Sequence, residues 1–179
     1  GTVLKSDYTI IAADPNRLIS NLRHQETVWK SCDTLYFTVP KRVIQKPLIG
    51  LIANKNSLIN NIFYHNSVGT NSKGENELLS VTVVEKHQLK EAELIKIVQD
   101  ELKKYCGIKN AQFLKHYYIK QALPNLEDLK YEMLPLETRL SDSIFLAGDT
   151  QLNGSLNAAM ASGEKAALGI VETMSTTIV

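Results

Sequence analysis

The stretch Ile144-Phe145-Leu146-Ala147-Gly148-Asp149 is decisive for the fold, because an apolar run with the length of a short strand ends there in a Gly-Asp pair. A polar turn follows, and the sequence from about Ser155 to Glu172 predicts a helix. Small residues crowd this helix: Ala158, Ala159, Ala161, Ser162, Gly163, Ala166, Ala167 and Gly169. A glycine in a helix interior costs about 1 kcal/mol relative to alanine. The glycines therefore indicate a surface that another backbone or a flat ligand approaches closely.

The junction between this strand and this helix predicts a binding site for an oxygen-rich ligand. The first N–H groups of a helix have no partners inside the helix, and the helix dipole favours anionic or oxygen-rich atoms there. Asp149 at the strand's carboxyl end can accept hydrogen bonds from hydroxyl groups, and Gly148 would let a ligand approach the main chain. An ordinary strand-turn-helix, with Asp149 or Ser155 as a helix cap, explains the same residues. The residues alone leave both interpretations open.

The rest of the chain predicts a largely antiparallel sheet and one long helix. Apolar, β-branched and aromatic residues favour strands in these segments: Tyr8–Ala13, Ser31–Val39, Leu48–Ala53, Ser57–His65, Leu78–Val84 and Phe113–Leu123. From Leu89 to Tyr105 the apolar spacing becomes that of an amphipathic helix, with Gly107 as its C-terminal cap. Pro15 to Leu22 predicts a short helix that begins with proline, and Val68 to Gly74 predicts a loop.

Composition and spacing argue against several classes of partner and site. The 179 residues include 20 Lys and Arg and 19 Asp and Glu, a balance that does not predict a nucleic acid or an anionic membrane as partner. The two cysteines, Cys32 and Cys106, are typical of a reducing, cytoplasmic setting. The histidines lack the spacing of metal ligands, so no metal site is predicted: His24, His65, His87 and His116. Neither G-x-G-x-x-G nor a Walker-type loop is present, so the usual phosphate-binding turn of a nucleotide cofactor is not in this chain.

The C-terminal segment resembles the flavin-contacting motif of the flavin-dependent amine oxidase superfamily, which includes protoporphyrinogen oxidase, phytoene desaturases and monoamine oxidases. That motif is an apolar strand, Ala-Gly-Asp or Ala-Gly-Glu, a short turn, and a small-residue helix with Ser-Gly and paired alanines. The matching segments here are Phe145-Leu146-Ala147-Gly148-Asp149, Ala161-Ser162-Gly163 and Ala166-Ala167. A weaker resemblance covers nearly the whole chain, and Tyr8–Ala13 resembles the strand that re-enters the FAD domain.

The resemblance implies FAD as cofactor and gives roles to a few positions. Asp149 would accept a hydrogen bond from a hydroxyl of the FAD ribityl chain, and Gly148 would let that chain pass close to the backbone. The N–H groups of Ser155, Leu156 and Asn157 would face the flavin pyrimidine edge, where the helix end stabilises a reduced, anionic ring. The flavin would accept a hydride or an electron pair, and no residue of this chain is assigned as general acid or base.

Departures from the family pattern bear on the substrate and on the completeness of the site. Monoamine oxidases place aromatic residues around this turn, whereas Thr150 to Leu156 contains none. This favours the protoporphyrinogen oxidase and phytoene desaturase branch, and an apolar or polycyclic small molecule as substrate. The family's Gly-rich dinucleotide-binding unit is not in this chain, so we expect a C-terminal fragment of a longer FAD-dependent oxidoreductase. Alone, the fragment would be inactive and would not hold FAD, because it would lack the N-terminal FAD domain as its partner.

The predicted fold class is α+β, a mostly antiparallel sheet with flanking helices plus a C-terminal strand-helix remnant of an FAD-binding domain. Residues 1–22 are predicted as a remnant strand and helix of that domain, 31–142 as a substrate-binding subdomain, and 143–179 as the FAD-contacting strand and helix. The two remnants should lie beside each other. The missing domain would cover the small-residue face from Ala158 to Ala167, and without it we expect the chain to cover this face through self-association or local rearrangement.

A competing interpretation is a stand-alone, non-catalytic α+β module that binds a ligand or a protein. It explains the absent Gly-rich turn without a truncation, but it leaves the Gly-Asp strand end beside a small-residue helix unexplained. Under either interpretation we expect a cytoplasmic protein, with a membrane-peripheral position left open.

Overall fold

The computed structural model describes residues 1–19, 27–69 and 74–177, and the chain divides into two compact units. Residues 1–30 and 123–179 form the first unit, and residues 31–122 form the second. The stretch 123–142, which we predicted with the substrate-binding subdomain, belongs to the first unit, because its contacts are with the C-terminal strand and helix. The end of the predicted helix at 20–22, His24, and most of the predicted loop, 70–73, lie outside the described residues.

The second unit is built on a five-stranded sheet, as the predicted strand segments required. The strands are β2 (Trp29–Val39), β3 (Gly50–Leu51), β4 (Ile59–Tyr64), β5 (Glu77–Val83) and β6 (Gln112–Pro124), in the order β3-β4-β5-β2-β6. The pairs β3–β4, β4–β5 and β2–β5 are antiparallel. The register Leu35↔Val81 and Phe37↔Leu79 places apolar residues of neighbouring strands on one face, where they pack together.

Helix α2 (Glu91–Cys106) covers that face of the sheet. Its buried apolar residues fall at the predicted helical spacing and pack with the strands in one core: Leu94, Val98 and Leu102 of the helix against Leu35, Phe37, Val39, Ile59, Ile62, Tyr64, Leu79, Val81 and Val83. The backbone N–H of Lys90 donates to the Glu93 carboxylate at 3.1 Å at the start of the helix. Gly107 ends it in the left-handed conformation (φ 69°), which confirms the predicted cap.

The first unit contains a two-stranded parallel sheet and the C-terminal helix. Strand β1 (Thr9–Ile11) pairs with β7 (Ile144–Leu146) in the register Ile10↔Phe145, so the strand near the start of the chain does lie beside the strand near its end. Helix α1 (Pro15–Leu18) is a single turn, capped by the Asp14 side chain. Helix α3 spans Leu156–Thr177, and short 3-10 helices lie at Pro135–Thr138 and Asp149–Gln151.

Small residues of α3 are packed against other parts of the same unit. Ala158 packs with Met133 and Leu152, and Ala166 packs with Phe145. A Cβ on Gly169 would lie 2.7 Å from the carbonyl oxygen of Pro135. The segment before β7 therefore covers the face that we expected a missing domain to cover.

The opposite side of α3 is exposed, and it carries large apolar side chains: Leu156, Met160, Leu168, Val171 and Met174. In the described parts of the chain, no helix combines the length and the apolarity needed to cross a bilayer.

Candidate cofactor-contacting site

The turn that follows β7 depends on a glycine conformation. Gly148 has φ 142° and ψ 169°, a region that is essentially restricted to glycine. A Cβ built at this position would find only Thr150 Oγ1 within 4 Å, at 3.8 Å, which is an ordinary contact. Conformation rather than crowding therefore requires glycine, and the side of Gly148 where a Cβ would project is open to an approaching group.

Asp149 carries the carboxylate nearest to this glycine in the chain. It begins the 3-10 helix and is half-buried. Its side chain makes no hydrogen bond or ion pair with any residue in the described ranges 1–19, 27–69 and 74–177. A half-buried carboxylate without a partner retains its full capacity to accept hydrogen bonds from a ligand.

Ser155, not Asp149, is the N-terminal cap of α3. The Ala158 N–H donates to Ser155 Oγ at 3.2 Å, and the Ala159 N–H donates to the Ser155 carbonyl oxygen at 3.1 Å. The N–H of Ser155 itself donates to the Asn153 carbonyl oxygen at 2.7 Å. The capping interpretation thus accounts for Ser155 and leaves Asp149 unexplained by local structure.

Two main-chain donors remain at the start of α3. The N–H groups of Leu156 and Asn157 have no acceptor in the portion of the chain that the structure describes. Leu156 exposes 77% of its surface, and Asn157 is also exposed, so no packed side chain covers these two donors. Of the three N–H groups that we predicted for the flavin, these two are available, and the Ser155 N–H is already engaged.

Residues 148–157 therefore present chemically complementary groups in one unit. They comprise an open main-chain position at Gly148, an unpartnered carboxylate at Asp149, and two N–H donors at the positive end of a helix dipole. A ligand with hydroxyl groups and carbonyl or anionic oxygens matches this set. As the sequence predicted, Gly148 and Asp149 follow an apolar strand, and Leu156 and Asn157 lie at the start of the helix after it. The role of these residues in binding stays a prediction.

A second group of polar residues, which sequence reasoning missed, lies in the second unit. The buried carboxylate of Asp33 faces two histidines, with Oδ1 2.7 Å from His116 Nε2 and Oδ2 3.2 Å from His87 Nε2. Nδ1 of His116 lies 3.3 Å from the Glu91 carboxylate. Asp33 and His116 are 83 positions apart, and no spacing in the sequence indicates that β2 and β6 bring them together.

These residues line a cavity of about 450 Å³ together with Ser31 and Tyr118. His116 therefore has a carboxylate beside each of its ring nitrogens. His87 Nδ1 accepts from the Leu89 N–H at 3.4 Å. Both ring nitrogens of His116 face carboxylates, which favours a structural role for this side chain. His87 Nε2 is buried and makes no hydrogen bond with a described residue, although Asp33 Oδ2 lies 3.2 Å away. Among the described residues, no group of three or more His, Cys, Asp or Glu is arranged to hold a metal ion.

The sheet also carries an aromatic row, consisting of Phe63, His65, Tyr36 and Tyr117. The ring centroids are 5.2 Å apart for Phe63 and His65, 5.7 Å for His65 and Tyr36, and 6.0 Å for Tyr36 and Tyr117. Tyr36 alternates along β2 with residues that are buried under α2, so it points to the other face of the sheet. Tyr117 exposes 52% of its surface. The row therefore presents flat apolar surface on the face that α2 does not cover.

Comparison with solved structures shows where this fold occurs. A protein from Exiguobacterium sp. 255-15, provisionally named a protoporphyrinogen oxidase, matches with a TM-score of 0.62 and 14% identity over 92% of this chain and 41% of its own. An oxidoreductase from Methanosarcina mazei matches with a TM-score of 0.61 and 10% identity over 99% of this chain and 44% of its own. A triple mutant of putrescine oxidase, from a redesign of its cofactor binding, matches with a TM-score of 0.57 and 15% identity over 91% of this chain and 42% of its own.

These similarities show that the fold of this chain is shared with parts of these three proteins. The chain spans less than half the length of each of these proteins. No protein-family model and no curated protein matches the sequence. The fold is therefore shared with oxidoreductases, and the activity has to be argued from the site.

Proposed function

We propose that this chain is the C-terminal part of an FAD-dependent oxidoreductase that dehydrogenates an apolar or polycyclic small molecule. The observation that carries the proposal is the junction of β7 and α3, where a glycine with φ 142° precedes an unpartnered carboxylate and a helix N-terminus with two available N–H donors. This junction occurs on a fold shared with oxidoreductases more than twice as long as the matched part.

The residues present fit the part of FAD that they would contact. Asp149 would accept a hydrogen bond from a ribityl hydroxyl, because its carboxylate has no partner in the described residues. Gly148 leaves space where any other residue would place a Cβ. The N–H groups of Leu156 and Asn157 would donate to the pyrimidine edge, where the helix dipole favours negative charge.

Bound FAD would supply the redox chemistry by accepting a hydride or an electron pair from the substrate. The chain's own contribution is to hold donors and an acceptor in place, since α3 is anchored by its buried small face and the Gly148 turn is fixed to that helix. No residue in the described ranges is assigned a proton-transfer role at this site.

The aromatic row supports the proposed substrate class. Flat rings bind apolar and polycyclic molecules by stacking and by burial of apolar area. Tyr36 and Tyr117 present such a surface, and their partners His65 and Phe63 extend it across the sheet. A Tyr117→Ala variant should weaken binding of an apolar substrate and should leave binding of FAD unchanged.

The deciding experiment uses the native protein that contains this chain. We expect it to be purified with a flavin spectrum that bleaches anaerobically with a suitable substrate, and we expect the 179-residue chain alone to bind no FAD. Asp149→Ala should raise the dissociation constant for FAD about tenfold or more, as loss of a hydrogen bond to a charged group does. Asp128→Ala, at an exposed carboxylate of the same unit, is the matched control and should have no effect.

A colourless native protein that also fails to bind added FAD would contradict the oxidoreductase. It would favour the non-catalytic module, for which the aromatic row would then be the binding surface. Equal FAD affinity of the Asp149→Ala variant and the wild type would contradict the assigned role of Asp149 and would leave the cofactor assignment intact.

A further inference from the structure

Both main-chain polar groups of Gly148 meet one side-chain hydroxyl. The N–H of Gly148 donates to Ser162 Oγ at 2.8 Å, and the Gly148 carbonyl oxygen lies 2.9 Å from the same Oγ. With φ 142° and ψ 169°, the backbone of Gly148 brings its N–H and its C=O to the same side, where both meet Ser162 Oγ. A single hydroxyl can therefore serve both groups, since it accepts through a lone pair and donates through its hydrogen.

The position of Ser162 on α3 allows this contact with Gly148 and shields its hydroxyl from solvent. It is fully buried on the packed face of α3, two turns after the helix begins. Its hydroxyl also lies 2.9 Å from the carbonyl oxygen of Ala159, the usual acceptor for a serine inside a helix. The single hydrogen of Ser162 is shared between two acceptors, whereas the Gly148 N–H has Ser162 as its acceptor.

The backbone of Gly148 needs such a constraint. Residues in this region of φ and ψ persist where the surrounding structure over-determines them, and they concentrate at binding sites. On one side, the Ala147 N–H donates to the Ile11 carbonyl oxygen at 2.9 Å and continues the β1–β7 pairing. On the other side, the Gln151 N–H donates to the Gly148 carbonyl oxygen at 3.2 Å within the turn. Ser162 supplies the link between this turn and the body of α3.

We propose that Ser162 is the positioning residue of the FAD-contacting turn. It holds Gly148 and Asp149 in a fixed relation to the helix that carries the free N–H groups of Leu156 and Asn157. The cofactor part of this inference rests on the proposed function, and the geometric part rests on the two contacts to Gly148 alone. Ser162 would touch no ligand atom itself, because its hydroxyl is enclosed by Gly148 and Ala159.

The test compares two serines of the same helix. Ser162→Ala removes the acceptor and the donor from Gly148, and Ser175→Ala removes an exposed hydroxyl that donates only to the Val171 carbonyl oxygen at 2.9 Å. The first measurement is amide hydrogen exchange at Gly148 in the 179-residue chain. We expect faster exchange in Ser162→Ala and wild-type exchange in Ser175→Ala.

The second measurement is the dissociation constant for FAD in the native protein, with the visible flavin spectrum recorded for each variant. We expect Ser162→Ala to raise the dissociation constant about tenfold, because the turn that carries Asp149 is no longer held in its binding geometry before FAD binds. A shifted flavin spectrum should accompany the weaker binding, because the groups around the ring lose their fixed placement. Ser162→Cys keeps a weaker donor and acceptor, so it should lie between Ser162→Ala and the wild type.

Two results would overturn the inference. Wild-type exchange at Gly148 in a folded Ser162→Ala variant would show that the hydroxyl does not hold the turn. Faster exchange with an unchanged FAD affinity and spectrum would show that Ser162 is merely structural. If Ser162→Ala does not fold, Ser162→Cys is measured in its place. A Ser162→Cys variant that binds FAD as tightly as the wild type would then contradict the inference. A wild-type native protein that binds no FAD is a separate outcome, which refutes the proposed function and the cofactor part of this inference with it.

Discussion

The Glu101 carboxylate on α2 accepts a 2.8 Å hydrogen bond from Ser57 Oγ, at the turn that leads into β4. The same carboxylate also accepts from the main-chain N–H groups of Leu58 and Ile59, each at 3.1 Å. Glu101 is buried, so these donors substitute for the water that its charge would otherwise require. This one side chain therefore ties the helix to the β3–β4 hairpin.

We expect Glu101→Ala to destabilise the chain by about 3 kcal/mol, because it removes the acceptor that the donors of Ser57, Leu58 and Ile59 share and leaves the Leu58 N–H without one. Glu101→Gln keeps one acceptor oxygen and should cost less. The free energy of unfolding from urea titration measures both. Asp100→Ala, at the exposed neighbouring position, is the control, and equal losses for Glu101→Ala and Asp100→Ala would contradict the prediction.

We expect Asp33→Asn to destabilise the second unit by about 1–3 kcal/mol, because an amide offers one acceptor where two imidazoles face the carboxylate. Glu91→Gln is the matched control, since that side chain is 61% exposed and contributes little at the surface. Chemical denaturation followed by tryptophan fluorescence compares the two variants. If Glu91→Gln lowered the free energy of unfolding as much as Asp33→Asn, the burial of Asp33 would not explain its contribution to stability.

Substitution of three glycines by alanine should change the stability of the chain, for a different reason at each position. Gly148→Ala should cost about 1–3 kcal/mol through its φ of 142°, even though the added Cβ meets no close atom. Gly169→Ala should cost about as much through overpacking, since the Cβ would lie 2.7 Å from a Pro135 backbone oxygen. Gly163→Ala should stabilise α3 by about 0.5–1 kcal/mol, because no atom lies within 4 Å of its added Cβ. Thermal unfolding of the three variants tests the order, and a destabilised Gly163→Ala would refute the account of α3.

Cys106 should react slowly with iodoacetamide at neutral pH. Burial raises the pKa of its thiol, and the nearby Glu101 carboxylate raises that pKa further. The reactive thiolate therefore forms at higher pH than in an exposed cysteine. Because the folded state holds this proton more tightly, the stability linked to Cys106 is present below the ordinary thiol range and decreases as the pH rises through it.

The pH profile of alkylation in a Cys32→Ser background isolates Cys106. Glu101→Gln in the same background should shift that profile to lower pH, because one cause of the raised pKa is removed. A profile at or below the range of a free cysteine would contradict the prediction.

Local patterns in the sequence were sufficient to predict the elements of this fold. The apolar spacing from Leu94 to Leu102 placed α2, Gly107 marked its end, and the β-branched runs placed the strands within a few residues. These signals work because hydrophobic periodicity and glycine conformation act over a few neighbouring residues. That the segments of β1 and β7 lie beside each other was predicted from the resemblance, and the structure adds that the two strands pair in parallel.

Only the tertiary structure decided which groups meet. The small-residue face of α3 was predicted to be covered by a missing domain, but the segment containing Met133 and Pro135 packs against it. The Asp33, His87 and His116 cluster depends on strands that are distant in sequence, and the hydroxyl of Ser162 reaches Gly148 only because α3 folds back on β7.

By itself, the sequence determined the strand with its Gly148-Asp149 end, the helix that follows, and the chemistry that these residues can offer. The tertiary structure decided that Ser155 is the cap, that Asp149 is left without a partner in the described residues, and that Ser162 holds the turn. The physical reason is the distance along the chain over which each interaction acts. Propensity and periodicity are set by adjacent residues, whereas hydrogen bonds between side chain and backbone, and the burial that makes them matter, depend on contacts between distant parts of the chain.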